Sequence, residues 1–487
     1  MTLDRVLLTP DASTWAGLAT ARRPQQTLFG EQLAHWQLCT CRDLGIILER
    51  ETVVIATGHQ AGIWHPGILA KFIAVDALVH KLGLENAVAV HLVVDQDDNQ
   101  PQLVDVPVRA DAEAPMHAET LPMVDGQGRA ATGMLPAARA LDLTDRADIV
   151  PSARAGVRTI CAALAAARDA NATSLAAQFA SACTALAQRW VKPMHRIRAT
   201  VLLETTLGKL LVKHMFEKPV ACARAYNQAV VKHPEAGLTM LEDSHGRIEL
   251  PLWQIDATGN RARVYADDLA SPLNAEQQLA PRALLMTAIM RLCVSNLFVH
   301  GTGGYAYDNA MEAWIRDWLH VTAMHKACAT ADVRMRFDDV GHDDDDDDDD
   351  VSGDGAGQAL SISVERAQHD VRKALHDPAR NNPASISQEK QAFLDRIAAA
   401  PRRSRERRRA FLVMHDWLRQ QREEHADQLH AYQQRARRAE RRAVESSVRN
   451  KRDWAFPLYP TGFIDQLAAR IRQSVEKATN ANRTYGD

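Results

Sequence analysis

A stretch near residue 60 combines glycines, histidines and a lysine in the sequence TGHQAGIWHPGILAK, residues 57–71. Backbone N–H groups at a glycine turn and at a helix N-terminus favour anions. Lys71 follows Gly67 by about one helical turn, so its amine can reach back towards a phosphate. The residues predicted to bind a phosphate or the anionic end of a substrate are Thr57, Gly58, Gln60 and Lys71, and the predicted proton carriers are His59 and His65. A tight loop with surface histidines would have the same composition.

Three carboxylates occur in the motif DQDDNQ, residues 95–100, directly after an apolar run. Carboxylates at a strand end can hold a ribose, an amine or a magnesium ion. Asp95 and Asp97 have the same parity, so their side chains point the same way if the strand continues. We therefore expect Asp97 to be catalytic and Asp95 and Asp98 to bind substrate. A plain polar turn is the alternative, because aspartate is a common turn former.

A second glycine-rich loop has the sequence HGTGGYAYD, residues 300–308. It follows an apolar segment and precedes a helical pattern, although its glycines do not have the G-x-G-x-x-G spacing. Asp308 could equally be an ordinary helix cap. The residues of this loop predicted to bind the substrate or a nucleotide are His300, Gly301, Gly303, Tyr307 and Asp308.

The segments around these motifs predict the elements that position them. TVVIAT, residues 52–57, is a short β-branched run, residues 68–82 have apolar positions at helical spacing, and AVAVHLVV is apolar on both parities. SNLFVH and the helix after the second glycine loop repeat the same order. The predicted fold class is α/β, with a Rossmann-like doubly wound parallel sheet in which ligands bind beyond the carboxyl ends of the strands.

The rest of the chain divides into regions of different composition. We predict a core over residues 1–337, with a helical insertion at 150–235 and a β-hairpin insertion at 247–268. Residues 338–358, which include eight consecutive aspartates at 343–350, are predicted to be an acidic flexible linker. Residues 359–453 are predicted to form a basic helical coiled coil, and residues 454–487 a C-terminal helix that returns to the core.

The coiled-coil prediction depends on a seven-residue repeat. Its members are Phe411, Leu418, His425, Tyr432 and Ala439, followed at four-residue spacing by Leu429, Ala436 and Ala443. The seam can close against residues 361–376 or 386–400 of the same chain, or against a second copy in a homodimer. The arginines of PRRSRERRRA could bind RNA or another polyanion, but no aromatic residues are interleaved, so a solvated helix face is favoured over nucleic-acid binding.

Composition limits the class of protein. The 487 residues are 46% hydrophobic and 24% charged, with a formal net charge of -3, which is typical of a globular protein. The seven cysteines have no framework spacing, and the pair Cys39 and Cys41 alone is weak evidence for zinc. We recognise no signal peptide at the N-terminus and no run of 18 apolar residues. The expected location is the cytoplasm, with no membrane partner.

The motifs TGHQAG, HLVVDQDD and VHGTGGYAY, in this order, resemble those of the cysteine-adding enzymes of bacillithiol biosynthesis. The resemblance implies a Rossmann-like core related to class I synthetases and nucleotidyltransferases, with a coiled coil. Members join cysteine to an amino-sugar malate. The positions that match the family pattern are Thr57, Gly58, Gln60, Asp95, Asp98, Gly301, Gly303 and Tyr307.

Four positions depart from the family pattern. His59 stands where a glutamine is usual, Gln96 replaces the first aspartate of the acidic cluster and Asp97 replaces its histidine. Gly304 replaces a glutamate of the glycine loop. Losing an imidazole and a carboxylate removes groups capable of proton transfer, so His59, His65 or His300 would have to supply that function.

The resulting hypothesis is a ligase-like enzyme that joins cysteine or a related small amine or thiol to an amino-sugar-type acceptor. The expected cofactor is ATP or another nucleotide; magnesium is compatible with the carboxylates, but no dedicated metal site is predicted. The alternative is a non-catalytic scaffold, in which a degenerate nucleotide-binding core presents the coiled coil to partner proteins. Stabilisation by ATP, ADP or cysteine would distinguish the two.

Overall fold

The structure, a computed structural model, describes residues 2–49, 52–111, 114–126, 129–244, 246–268, 278–335, 355–378 and 386–477. The chain divides into two compact units. The first comprises residues 1–106, 119–336 and 452–487, and the second comprises residues 107–118 and 337–451. The predicted polyaspartate run, residues 343–350, lies outside the described residues.

The strands of the described residues are β1 (Thr2–Thr9), β2 (Thr27–Leu28), β3 (Glu31–Gln32), β4 (Val53–Gln60), β5 (Ala87–Val94), β6 (Leu103–Val108), β7 (His117–Pro122), β8 (His195–Arg198), β9 (Asp243–Ser244), β10 (Arg247–Ile255), β11 (Arg261–Tyr265), β12 (Gln278–Pro281), β13 (Leu297–His300) and β14 (His325–Arg334). The helices are α1 (Trp15–Thr20), α2 (Leu33–Asp43), α3 (Pro66–Leu82), α4 (Pro151–Asp169), α5 (Leu175–Ala187), α6 (Thr206–Glu217), α7 (Pro219–Lys232), α8 (Ala283–Cys293), α9 (Thr302–Leu319), α10 (Gly355–His376), α11 (Gln388–Ala399), α12 (Arg405–Glu424), α13 (Ala426–Asn450) and α14 (Thr461–Glu476). None of the described helices is long and apolar enough to cross a membrane.

A six-stranded sheet, mostly parallel, forms the centre of the first unit. Its order is β1-β14-β13-β4-β5-β8, and only the edge strand β1 is antiparallel to its neighbour. From β4 the chain proceeds outward to β5 and β8 on one side, and from β13 to β14 on the other. The order therefore reverses between β4 and β13, which pair directly. In open α/β sheets this reversal leaves a crevice at the carboxyl ends of the strands.

Helices cover both faces of this sheet. Val54 and Ala56 of β4 belong to a core cluster that includes residues of α2, α6, α7, α8 and α9. On the other face α3 packs against β4, β5, β13 and β14, and α14 packs against α3. Nearly every residue of α3 from Pro66 to Val79 is buried, as expected of a helix between two layers. Burial of a side chain such as Leu69 or Phe72 stabilises the fold by roughly 1.5–3 kcal/mol.

A smaller antiparallel sheet contains β10, with β9, β11 and β12 paired to it. The turn between β10 and β11 contains Gly259 at φ +86°, a backbone conformation that favours glycine. The predicted hairpin over 247–268 is thus present, and β12 adds a strand to it.

The second unit is mainly helical in its described part, which also contains the end of β6 and the start of β7. α10 packs against α13, and α11 packs against α12. Leu418, Leu429 and Ala436 of the predicted repeat are buried, but Phe411 is 49% exposed and Met414 is buried instead. The predicted seam is also interrupted, since α12 ends at Glu424 and α13 begins at Ala426. Helix α10 starts at Gly355, inside the stretch predicted to be a linker.

Candidate active site

A cavity of about 720 Å³ lies at the carboxyl ends of β4 and β13, where the strand order reverses. This volume is in the range typical of small-molecule sites. The predicted site residues that line it are Gly58, His59, Gln60, His65, Lys71, Asp97, His300, Gly301, Gly303 and Tyr307. Residues far apart in the chain therefore meet in one cavity, all within the first unit. Thr57, Asp95, Asp98 and Asp308 do not line it.

Thr57 and Gly58 fix the base of the cavity. Thr57 is fully buried, and its Oγ1 donates a 2.8 Å hydrogen bond to the carbonyl of Val299, which joins β4 to β13. A Cβ atom on Gly58 would lie 3.1 Å from the backbone oxygen and from Cβ of Leu92. Thr57 is therefore a structural residue in this geometry, whereas Gly58 lets the neighbouring strand approach closely.

The N-terminus of α3 does not provide the anion site that we predicted. The Nδ1 atom of His65 accepts a 3.0 Å hydrogen bond from the N–H of Gly67, and Pro66 has no N–H. The N–H groups of Ile68 and Leu69 both donate to the carbonyl of His65 at 3.0 Å. The donors of this helix end are thus already satisfied, and His65 is a helix cap.

The N-terminus of α9, unlike that of α3, has no side chain that caps its N–H groups. Its N-cap is Gly301, which has no side chain to cap the helix, and the hydrogen bond from the Tyr305 N–H to the Gly301 carbonyl is the first of the helix. Gly301, Thr302, Gly303 and Gly304 line the cavity. An uncapped helix start with its first N–H groups beside a cavity favours an anion there.

Lys71 is a cavity residue whose amine is buried. Its side chain is 5% exposed, and its Nζ donates a hydrogen bond to the carbonyl of Gly58. Burial lowers the pKa of this amine to about 7, although Cys328 nearby opposes the shift. Lys71 is therefore poised between its charged and neutral forms near neutral pH, as a general base requires.

His59 is half-buried beside Lys71. Burial, followed by the charges of Lys71, His65 and His91, holds its pKa well below the ordinary value. The imidazole is therefore neutral at pH 7 and a weaker base than Lys71. His59 is therefore less suited to the predicted role of proton carrier than Lys71 is, and its neutral imidazole can donate or accept a hydrogen bond.

His300 is fixed by a buried network of charges behind the cavity. Its Nε2 lies 2.7 Å from Oδ2 of Asp308, which also accepts a 2.8 Å hydrogen bond from Arg291. Burial alone would raise the pKa of Asp308, but His300 and Arg291 lower it to about 2. A Cβ atom on Gly304 would lie 2.7 Å from Nδ1 of His300. In this geometry the imidazole occupies the space that a glutamate at position 304 would need.

The predicted carboxylate cluster is split by the structure. β5 ends at Val94, so the parity argument for Asp95 and Asp97 does not apply. Asp95 is fully buried and accepts hydrogen bonds from the N–H and Oγ1 of Thr200, at 2.9 and 2.7 Å. Burial raises the pKa of Asp95, and these hydrogen bonds oppose the shift. Asp95 connects β5 to the segment after β8 and does not contact the cavity, which corrects its predicted role in binding.

Asp97 points towards the cavity but is already paired. Its Oδ1 lies 3.0 Å from Nη1 of Arg261, and its Oδ2 accepts a hydrogen bond from Gln60. Arg261 also pairs with Asp98. Asp97 and Asp98 therefore hold the small antiparallel sheet beside the end of β5, and Asp97 is less suited to catalysis than predicted.

The small antiparallel sheet supplies a side of the cavity that we did not predict. Trp253 of β10 lies under two guanidinium groups, with Cζ of Arg282 at 4.0 Å and Cζ of Arg261 at 4.9 Å from its ring centroid. Glu249 is buried and pairs with Arg282 and Arg263. The alternation of Arg261 and Arg263 in β11 places both on one face of the strand, and this alternation was the available signal.

Gln96 is a further cavity residue missed from the sequence. It is 4% exposed, and its Nε2 donates to the carbonyl of Pro281 at 3.3 Å. Its Oε1 has no hydrogen-bond partner among the described residues. A buried acceptor without a donor is costly, so Gln96 is a destabilising group in the wall of the cavity.

Metal ligation is not evident in the described part of the chain. It contains no group of three or more His, Cys, Asp or Glu that could hold a metal ion. All seven cysteines lie in this part and none forms a disulfide; Cys39 of the C-x-C pair has its Sγ 3.3 Å from Nε2 of His35.

Comparison with known proteins adds no assignment to this geometry. The scan against protein-family models finds no match, and the search of curated proteins finds none either.

Proposed function

We propose that this chain is a cytoplasmic ligase-like enzyme with a Rossmann-like core, and that its cavity joins cysteine or a related small amine or thiol to an amino-sugar-type acceptor. The strand order, with its reversal between β4 and β13, supports the Rossmann-like interpretation. One observation carries the proposal: a lysine with a pKa of about 7 and an uncapped helix N-terminus line the same cavity. The first suits a base, and the second suits an anionic group.

Each cavity residue has a separate role in the proposed reaction. Lys71 in its neutral form takes the proton from the incoming amine or thiol, and the neutral His59 orients that group by a hydrogen bond. The start of α9 binds an anionic part of the substrates or a phosphate. Trp253 and Tyr307 provide aromatic surface at the cavity for a sugar or base.

The proposal includes a nucleotide, which would activate one substrate for the joining step. The glycines at the start of α9, the uncapped helix and the aromatic side chains fit a phosphate and a base. When bound, a nucleotide such as ATP would supply the leaving group for the joining step. The carboxylates Asp97 and Glu249 are both paired with arginines, so the described cavity residues do not favour a magnesium ion.

Ligand-induced stabilisation tests whether the cavity binds these compounds. ATP, ADP, cysteine and glucosamine, each in excess, should be added separately to the full chain during thermal unfolding. A ligand present at a hundredfold its Kd stabilises the folded state by about 2.7 kcal/mol. Lys71→Met removes an amine of the cavity and should weaken the response, whereas Lys81→Met, at an exposed position of α3, should not. A flat response to all ligands would favour the scaffold alternative.

Product formation tests the joining step itself. Wild-type protein incubated with ATP, cysteine and an amino-sugar acceptor should give a joined product by mass spectrometry. Lys71→Met should lower its rate by about 10²- to 10⁴-fold, the usual contribution of a general base. Equal rates for Lys71→Met and Lys81→Met would contradict the role given to Lys71.

A further inference from the structure

Lys71 is a buried lysine without a counter-ion. Among the described residues no carboxylate forms an ion pair with it, and its hydrogen bond is to a neutral carbonyl, that of Gly58. Charged side chains that are fully buried are normally paired, because an isolated ammonium is poorly stabilised away from water. The titratable groups around it include His59 and His91, whose imidazoles are neutral at pH 7, and Cys328, whose thiol has a pKa raised by burial. This environment favours the free amine.

A neutral lysine amine is a nucleophile as well as a base. Desolvation of the side chain is one of the ways in which proteins activate lysine towards carbonyl compounds. Lys71 lines a cavity that admits a small molecule. The lone pair that would take a proton in the joining reaction can therefore attack a carbonyl carbon instead.

The position of α9 indicates what else such a carbonyl compound would carry. Lys71 is anchored at Gly58, one residue after Thr57, and Thr57 is the register partner of Val299 in β13. Neighbouring strands are about 4.8 Å apart, so the backbone at the start of α9 follows β13 about one strand spacing from Gly58. An anion held by that helix start would be close to the amine. Gln96, whose buried Oε1 has no hydrogen-bond partner among the described residues, belongs to the wall of the same cavity.

We propose that Lys71 condenses reversibly with small 2-oxo acids, with the carbonyl carbon at Nζ and the carboxylate at the N-terminus of α9. The amine lone pair forms the C–N bond as the C–O π bond breaks, which gives a carbinolamine. The carbonyl oxygen then leaves as water with the two protons of the amine, and an imine remains. The step is neither an oxidation nor a reduction. It goes beyond the joining reaction proposed above and requires none of its substrates.

Reductive trapping tests this assignment. The full chain is incubated at neutral pH with glyoxylate or pyruvate and cyanoborohydride, and the adduct is located by peptide mass spectrometry. An ordinary lysine has about one amine in a few thousand neutral at pH 7, whereas about half of Lys71 would be neutral, so Lys71 should be labelled on the order of 10² to 10³ times faster than exposed lysines. One adduct per chain on Lys71 is the expected result; labelling spread over exposed lysines, with Lys71 unmodified, would overturn the proposal.

Matched variants and probes make the result specific. Lys71→Arg keeps a long cationic side chain and Lys71→Met keeps the length without the charge, so at least one should remain folded, and each should lose the adduct. Lys81→Arg in the same helix should keep it. Glycolaldehyde has the carbonyl without the carboxylate, and it should be trapped at least tenfold more slowly than glyoxylate; equal rates would overturn the placement of the carboxylate at α9. If the wild-type protein gave no adduct on Lys71 but was still stabilised by the ligands of the proposed joining reaction, only the inference about Lys71 and 2-oxo acids would be refuted, and the proposed function would stand.

Discussion

At the scale of single residues, the sequence predicts the cavity residues that lie near glycines in a motif. It does not predict those that are brought to the cavity by contacts between distant parts of the chain. His59, Lys71 and His300 lie beside tight turns that end parallel strands, and the sequence order alone places such turns at one edge. Trp253 and Arg261 belong to the small antiparallel sheet, and Arg282 directly follows its strand β12. Arg261 forms ion pairs with Asp97 and Asp98, which are far away in the chain. No local pattern encodes that contact.

Lys71 should make the protein less stable than it would be with an apolar residue there. Its pKa falls from 10.5 in the unfolded chain to about 7 in the folded chain, so between these values the unfolded state binds more protons. The free energy of unfolding of the wild-type protein therefore rises with pH above about 7, by up to about 1.4 kcal/mol per pH unit, because the destabilisation caused by Lys71 decreases as pH approaches its unfolded-state pKa. Lys71→Met should be more stable than wild type at pH 7, and the advantage should shrink as pH rises.

Urea unfolding at about pH 7 and about pH 9, analysed with the linear extrapolation, measures this difference. Lys81→Met is the control, because it removes a lysine from an exposed position of the same helix and leaves Lys71 in place. A difference between Lys71→Met and wild type that stays constant across this range would show that Lys71 keeps an ordinary pKa.

At the scale of elements, long apolar periodic segments were predictable and short edge strands were not. The prediction of β4, α3 and β5 agrees with the structure within a few residues, because a β-branched run, an apolar helical pattern and Gly83 define them. β8 has only the four residues HRIR and lies inside a stretch that reads as helical. Its pairing with β5 comes from tertiary contact and outweighs the weak local preference.

The start of α3 is packed tightly against β14 by a glycine. A Cβ atom on Gly67 would lie 2.8 Å from Oγ1 of Thr330 and 3.0 Å from the carbonyl oxygen of Ala331. Gly67→Ala should therefore destabilise the fold by about 1–3 kcal/mol, the usual cost of overpacking, and should weaken ligand binding because α3 carries Lys71. Thermal unfolding and the ligand response described above measure both effects.

Gly17→Ala is the matched control for this change. Gly17 also lies in a helix, α1, but a Cβ atom there would meet nothing within 4 Å. Replacing a helical glycine by alanine in open space stabilises by roughly 0.5–1 kcal/mol. If Gly67→Ala were as stable as Gly17→Ala, α3 would have room to move away from β14, and the tight packing inferred for this element would be wrong.

At the scale of the whole molecule, the two units differ in how much apolar surface they bury. The first unit contains a large continuous core on the sheet. In the second unit the described core cluster consists of Ile397, Met414 and Leu418 with a few partly buried neighbours, while Phe411, Leu412 and Val413 remain exposed. The predicted boundary at residue 337 depends on the change in composition around the polyaspartate run, which lies outside the described residues. The break at His425 was not predictable, because the seven-residue repeat continues through it.

The helical unit should accordingly depend on very few side chains. Met414 is 6% exposed, whereas Leu412, on the same helix, is 57% exposed. Met414→Ala should cost about 2 kcal/mol or more, since it removes a central member of a small cluster, and Leu412→Ala should change stability by less than about 0.5 kcal/mol. Hydrogen exchange read by mass spectrometry on the full chain should show faster exchange in α11 and α12 for Met414→Ala, with protection of α3 and α9 retained because their core is separate. Equal exchange in the two variants would mean that this cluster does not hold α11 and α12 together.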